Sequence, residues 1–566
     1  MSERRNGARG RGGRRATRPA VALTAAALLL SGCAAIPSSG PVQTGLTDLR
    51  QADQPWQNIP VGPSPGASQK DVVRGFVEAA SSGSDDYAVA REFLAPEYAE
   101  QWDPHFGVLI DDGSRPYQEE GETAGILSLS AVAKVDSRGV MLPVQPGPST
   151  DMRFEFTRVE GEWRIASAPA GIILDSTTFT STWSARQLYF VGPGDMLVPD
   201  TRWFLNRASL PTAIVRTLLE GPSERLRESV HSGFPSGTTL VSNTVPVDDG
   251  RVRVDLSGAL LQGGQAGLAE AYQQLRMSLQ TAADVNGVDL YVDGAQAQVP
   301  DDDEGPHVLT EVYEPAVLRG GRFGSLIAGG FKPATGFAGT LADFHPEAVS
   351  LSLDGGVAAV LNDEGVTRID DSGQVLVDAR DGLLEPSVDV FDYVWTVQPA
   401  TAQQLQVWGP DGSSISVPAP WLAGRSPAAV RISPEGARIA ALVPGETGSQ
   451  VLVAGVIRDE NGVPVATTEE ADIQMWAPGD PVDLDWVGQQ NLVALTRVDG
   501  AGKVTLGGPG KLSGEQGGSV PGASRVSGGG GGTQMRVLGE KGDLFSAQAG
   551  GWQRSAVDVD LLAKRG

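Results

Sequence analysis

The chain has 566 residues and a formal charge of −25, from 44 Lys and Arg against 69 Asp and Glu, with 40% hydrophobic and 20% charged residues. That apolar content is enough for real cores and excludes a wholly disordered chain. No run of about 20 apolar residues occurs, which excludes a polytopic membrane protein. Residues 1–32 hold seven arginines against Glu3, which leaves −31 on everything after them. So acidic a body fits neither the phosphates of nucleic acid nor anionic headgroups, and no nucleic-acid partner is expected.

The basic stretch ends at Arg18, and Val21 to Leu30 is then almost wholly apolar. A basic n-region followed by an apolar core too short to span a bilayer reads as a signal peptide over residues 1–32. Leu30, Ser31 and Gly32 precede Cys33, the single cysteine of the chain, and match a bacterial lipobox. Cys33 is therefore the expected lipid-attachment residue, with S-diacylglycerol on its thiol and N-palmitoyl on the amino group released by cleavage. Two or three acyl chains, at about 0.8 kcal/mol per buried CH₂, anchor stably where one does not. This places the protein at the cell membrane, lipid-anchored on its extracytoplasmic face. Residues 33–66, rich in Pro and Gly, read as a flexible tether. With one cysteine, no disulfide within the chain is possible.

Residues 67–175 read as an α+β domain. Ser68 is placed to cap a helix carrying Val72, Val73, Phe76, Val77 and Ala80, with Asp71 in its first turn. A second helix is expected from Asp85 or Asp86 through Phe93 and Leu94, stopped by Pro96. Strand-like stretches follow at Gly125 to Val135 and at Phe154 to Phe156, and the Glu160-Gly161 turn leads into Trp163-Arg164-Ile165. Helices followed by a curved antiparallel sheet resemble an NTF2-like fold. Trp102 and Trp163 read as core rather than as a ligand shelf.

Residues 185–300 are more regular. Leu188 to Val191 reads as a strand, and Ser209-Leu210-Pro211 starts a helix carrying Ile214, Val215, Leu218 and Leu219, ended by Gly221-Pro222. Thr239 to Val247 and Arg251 to Leu256 flank the Asp248-Asp249-Gly250 turn. A long helix carries Leu268, Tyr272, Leu275 and Leu279, and Val288, Leu290 and Val292 form a last strand. Two helices on a mixed sheet make a compact α+β unit. These blocks, with Pro235 to Thr238 and Val292-Asp293-Gly294, resemble a GerMN domain.

Residues 306–566 contain short strands between turns. Similar strand pairs begin at Val349, Val388, Val430 and Val482, at intervals of 39, 42 and 52 residues, and Ser352 to Gly355 and Ser433 to Gly436 occupy equivalent turns. A drifting period of about 40 residues is expected of a β-propeller, here of about 5–7 blades. Gly507 to Gly532 reads as a flexible insertion between late blades.

The lipobox followed by Ile36-Pro37-Ser38-Ser39-Gly40-Pro41-Val42-Gln43, the GerMN-like middle and the propeller resemble the LpqB lipoprotein family of actinobacteria. The resemblance implies an accessory protein of a two-component system, with an MtrB-type sensor histidine kinase as partner. An envelope glycan- or lipid-binding lipoprotein is the alternative, with Trp395, Trp408, Trp421, Trp476 and Trp486 as stacking surfaces in place of core residues.

Nothing in the residues themselves points to an enzyme, and no catalytic, cofactor or metal set is expected. His105, His231, His307 and His345 stand alone, without a second ligand at zinc spacing. No Gly-x-Ser-x-Gly elbow surrounds Ser31 or Ser433. Gly507 to Lys511 has Leu512 where a phosphate loop needs Ser or Thr. Asp301 to Glu304 lacks the alternating ligands of a calcium loop and reads as a solvated linker.

Overall fold

A computed structural model describes residues 60–566 apart from 283–284, 300–304, 311–312, 328, 513 and 550. The signal peptide, the lipobox Leu30-Ser31-Gly32, Cys33 and most of the tether lie outside the described residues, as does the acidic run Asp301 to Glu304. Residues 60–566 form one compact unit.

The N-terminal domain begins with helix Gln69–Ala79. Asp71 N donates to Ser68 Oγ at 3.2 Å and Ser68 N donates back to Asp71 Oδ2 at 3.3 Å, closing the expected capping box. Val72, Val73, Phe76 and Val77 are buried, and the Phe76 ring meets Trp102 and Phe154 with centroids 5.1 and 6.4 Å apart. Two four-stranded sheets receive this face. The stretch expected as one strand at Gly125 to Val135 is two, Ala124–Leu129 and Ala131–Asp136, one in each sheet. Gly107–Asp111 also pairs in parallel with Ile172–Asp175. The expected second helix is reduced to single turns at Ser84–Asp86, Ala88–Arg91 and Pro96–Ala99. Asp85, Asp86 and Tyr87 all have positive φ, a conformation that no α-helix continues.

The middle domain pairs Trp183–Val191 with Leu197–Leu205 as a long hairpin, which packs on helix Gly264–Leu279. Helix Leu210–Glu220 ends at Gly221 with φ 88°, as expected of a stop glycine. Arg251–Leu256 and Gly287–Val292 run parallel at the centre of a four-stranded mixed sheet. Asp249 and Gly250, both at positive φ, make the tight turn before Arg251. Strand structure before that turn is limited to Val247–Asp248.

The remainder is six sheets in sequence, a propeller-like ring. In blades two to six the first strand of each is innermost: Ala348–Leu351, Ser387–Val388, Ala429–Ile432, Asp480–Val487 and Ala523–Ser527. Blade one has Ala316–Arg319, Arg322–Ile327 and Gly330–Pro333, and takes its innermost strand, Leu561–Leu562, from the end of the chain. Neighbouring innermost strands pack on one another all the way round, Leu561–Leu562 touching both Ala523–Ser527 and Ala348–Leu351. Lys564–Arg565 adds a parallel strand to blade two. The ring thus closes by packing and by this terminal strand, not by one continuous sheet.

Val349, Val388, Val430 and Val482 all fall in innermost strands, so the 40-residue period marks true blades. The two Ser turns are equivalent in detail. Val357 N donates to Ser352 Oγ and Arg438 N to Ser433 Oγ, both at 3.0 Å. The reading of Gly507 to Gly532 as a flexible insertion is corrected. It contains Glu515–Val520, the outer strand of blade five, and Ala523–Ser527, the inner strand of blade six.

Candidate interaction site

Charged side chains from four blades and the terminal strand meet on the axis of the ring. Glu385 precedes blade three, Arg431 lies in blade four, Asp483 and Asp485 in blade five, Arg525 in blade six, and Lys564 in the terminal strand. Arg431, 1% exposed, places one guanidinium nitrogen 2.6 Å from Glu385 Oε2 and donates from another to the Glu385 carbonyl at 2.9 Å. Lys564 Nζ is 2.5 Å from Asp483 Oδ1, 3.0 Å from the Leu484 carbonyl and 3.4 Å from Glu385 Oε2. Arg525 reaches Glu385 Oε1 at 3.2 Å. Asp483 Oδ2 accepts from Val526 N at 2.8 Å, and Asp485 Oδ2 from Gly528 N at 2.7 Å.

The two kinds of carboxylate behave oppositely. Burial alone would raise Glu385, but Arg525, Lys564 and Arg431 outweigh it and bring it down to about 2. Burial dominates at Asp485 and pushes it up to about 6, only partly offset by Lys564 and Arg431. Buried ion pairs are retained where removing one partner would strand the other charge, so the cluster pins blades three to six and the terminal strand in one register.

Further buried pairs radiate outward. Arg438 Nε meets Glu435 Oε1 at 2.8 Å, and Arg458 meets Asp389 Oδ2 at 2.5 Å. The propeller tryptophans serve this framework. Trp395 Nε1 donates to Asp389 Oδ2 at 2.8 Å, Trp421 to Thr467 Oγ1 at 3.0 Å, and Trp408 to Thr396 Oγ1 at 3.2 Å. Trp486, beneath Arg438, donates to the Arg431 carbonyl at 3.3 Å, and Trp476 is half-buried in the edge of blade four. Trp395, Trp421 and Trp486 are buried, and Trp408 and Trp476 are half-buried. Trp102 is buried and Trp163 half-buried under Arg158, as core residues are.

The two α+β domains are mounted directly on the ring. Trp203 Nε1 donates to the Gly510 carbonyl at 2.8 Å, Gln187 Nε2 to Gln490 Oε1 at 3.0 Å, and Arg225 faces Asp472 at 3.6 Å. Ala437 of blade four is buried in the core of the middle domain. Arg138 of the first domain donates to the carbonyls of Gly221 and Pro222 at 3.0 and 3.1 Å. Gly507 to Lys511, the false phosphate loop, is thus a docking loop for Trp203.

Two recesses stand out. One in the N-terminal domain is apolar, walled by Phe76, Leu109, Met152, Phe154 and Ile173. The other opens beside the axial cluster and carries Asp485, Arg536 and Arg565. The four histidines stay apart: His105 contacts Asp86 at 2.9 Å and His231 contacts Glu270 at 3.2 Å, while His307 bridges in parallel to Met196 and His345 follows the helical turns Gly336–Phe344. Among the described residues no three metal-ligating side chains cluster. The axial charges escape sequence reading because residues 385 to 564 supply them one or two at a time; alternation within an inner strand, as in Asp483-Leu484-Asp485, was the one available sign.

Comparison with known proteins divides the chain in three. The family model for the lipoprotein LpqB N-terminal domain matches residues 62–180, that for sporulation and spore germination residues 187–298, and that for the lipoprotein LpqB β-propeller domain residues 321–560. A lipoprotein LpqB of Cutibacterium acnes is 31% identical over 300 residues, covering 53% of this chain and half of that protein. Another, from Thermobifida fusca, is 28% identical over 558 residues, covering 84% of this chain and 87% of the relative. The first GerMN domain of the Bacillus subtilis sporulation protein GerM is similar at 19% identity and a TM-score of 0.19, covering 22% of this chain and 94% of that one.

Proposed function

Because the chain belongs to the LpqB lipoprotein family, we propose that it is a lipid-anchored accessory protein on the extracytoplasmic face of the cell membrane, modulating an MtrB-type sensor histidine kinase by contact rather than by catalysis. The observation that carries this reading is the ion-paired core of the axis. Glu385, Arg431, Asp483 and Lys564 use their charges on one another at 2.5–3.8 Å, where an enzyme would keep groups free to meet substrate. What the molecule offers a partner is then the loops and edges of a rigid three-domain body. Cys33 supplies the anchor. Confining both proteins to one membrane raises their effective concentration, so that weak contacts suffice. The acidic body steers approach to a basic patch on the partner.

The test is the autophosphorylation rate of the kinase, reconstituted in vesicles with and without the lipidated chain. The reading expects a change in rate that requires the anchor. An unchanged rate across all chain-to-kinase ratios contradicts it.

A further inference from the structure

The recess beside the axial cluster is walled by five separate segments. Asp485 comes from blade five, Ser527 and Arg536 from blade six, Tyr313 to Ala316 from the segment entering blade one, and Arg565 from the terminal strand. Its wall explains two glycines, Gly528 and Gly530, of the stretch that reads as a flexible insertion. A Cβ on Gly528 would lie 1.7 Å from the Trp486 carbonyl oxygen, and one on Gly530 would lie 2.6 Å from the Tyr313 ring. Glycine is required there for close approach of the backbone.

The charges in this recess, Asp485 buried and Arg536 and Arg565 half-buried, are only partly matched. Asp485 is 4% exposed and accepts from one backbone donor, Gly528 N. Its nearest cations, Lys564 and Arg431, are bonded to Asp483 and Glu385 instead. Arg536 donates to the carbonyls of Met535 and Thr533 at 2.9 and 3.2 Å. No ion pair holds it among the described residues, and burial lowers its pKa. Arg565 is lowered by burial as well, despite Glu314 and Asp354, and its Nε is buried without a hydrogen-bond partner. A buried charge short of hydrogen-bond partners is costly, and groups perturbed in this way gather at binding sites.

We infer that this recess binds a small zwitterion of amino-acid size, its carboxylate against the guanidiniums of Arg536 and Arg565 and its ammonium against Asp485. Planar guanidiniums suit a carboxylate, and Tyr313, Ser527 and Gln534 complete a polar lining. A dianion such as phosphate is disfavoured by Asp485 and Glu314 in the same walls, and a divalent cation by the two guanidiniums. This goes beyond the kinase reading and does not depend on it.

The test is calorimetric titration of the full chain in detergent with L-alanine and with D-alanine, against acetate and ethylammonium as half-ligands. The expected result is one saturable site for an alanine enantiomer, with affinity at least about tenfold above either half-ligand. Arg536→Gln, at a half-buried rim position, is expected to weaken alanine and acetate about tenfold while near-ultraviolet dichroism stays unchanged. Asp485→Asn keeps an acceptor for Gly528 N and is expected to remove the advantage of alanine over acetate. Failure of both enantiomers to saturate at roughly 10 mM, equal affinity for alanine and acetate, or unchanged affinity in Arg536→Gln each overturn the inference. No kinase is present in this titration, so its failure leaves the kinase reading standing.

Discussion

Lys564 sets its ammonium 2.5 Å from Asp483 Oδ1, joining the last strand of the chain to the innermost strand of blade five, 81 residues earlier. Both side chains are buried, at 0% and 8% exposure. The contact is therefore shielded from salt and water, and removing either member leaves the other with only a longer ion pair, to Arg431 at 3.8 Å or to Glu385 at 3.4 Å. Lys564→Ala is expected to cost about 3–5 kcal/mol, read by chemical denaturation as a lower midpoint. A loss within about 0.5 kcal/mol would show that the terminal strand is not what fastens the ring.

Asp485 makes the opposite contribution. Its folded pKa of about 6 lies above its ordinary 3.8. At pH above 6 both folded and unfolded forms are ionised, and the folded state bears the full cost of the buried charge. As pH falls from 6 towards 3.8 the folded carboxyl protonates first and that cost is relieved. Asp485→Asn is therefore expected to be more stable than the parent at pH 7.5, by about 2–3 kcal/mol at most. It is also expected to flatten the pH dependence between pH 7 and 5. A variant less stable than the parent at pH 7.5 would contradict this.

Glu385 governs the acid limb. Its pKa falls from 4.5 to about 2, so its stabilisation is complete above pH 4.5 and is lost between 4.5 and 2. Glu385→Gln is expected to be markedly less stable at pH 7 and to lose less on acidification through that window. Parallel acid profiles for parent and variant would refute the assignment.

Much of this architecture was readable because of how propellers bury their strands. Val349, Val388, Val430 and Val482 announced four blades since each innermost strand sets apolar side chains into the cores between blades. Blade one hid its inner strand at Leu561–Leu562, beyond the reach of any local period. Blade six begins in Ala523–Ser527, a short polar strand beside the glycine run, where composition imitates a linker while the physical demand is close backbone packing. The helix expected from Asp85 failed on three successive left-handed residues, which spacing of apolar positions does not register. The GerMN-like blocks were legible because capping and turn residues, Gly221 and Gly250 among them, carry local conformational demands. The axial site was not, because charge pairing across a closed ring has no sequence period.

Domain mounting is open to the same kind of test. Arg138 caps the end of helix Leu210–Glu220 from a neighbouring domain through the carbonyls of Gly221 and Pro222. Hydrogen bonds from a charged donor contribute about 1.5–3 kcal/mol. Arg138→Ala is expected to lower stability by about 1–2 kcal/mol and to increase proteolytic nicking between the first two domains. Identical cleavage patterns for parent and variant would show that the contact does not fasten them.

The proposed lipid attachment rests on Cys33. Cys33→Ala is expected to abolish acylation, leave uncleaved precursor and move the protein from the detergent phase to the aqueous phase on partitioning. Unchanged partitioning would remove the lipid anchor from the account.

The most direct measurement is the affinity of the lipidated chain for the extracytoplasmic domain of an MtrB-type kinase, with both held on one lipid surface. The account predicts saturable binding that weakens between low and physiological salt, as attraction between an acidic body and a basic patch must. No binding on that shared surface, at any salt concentration, would contradict it.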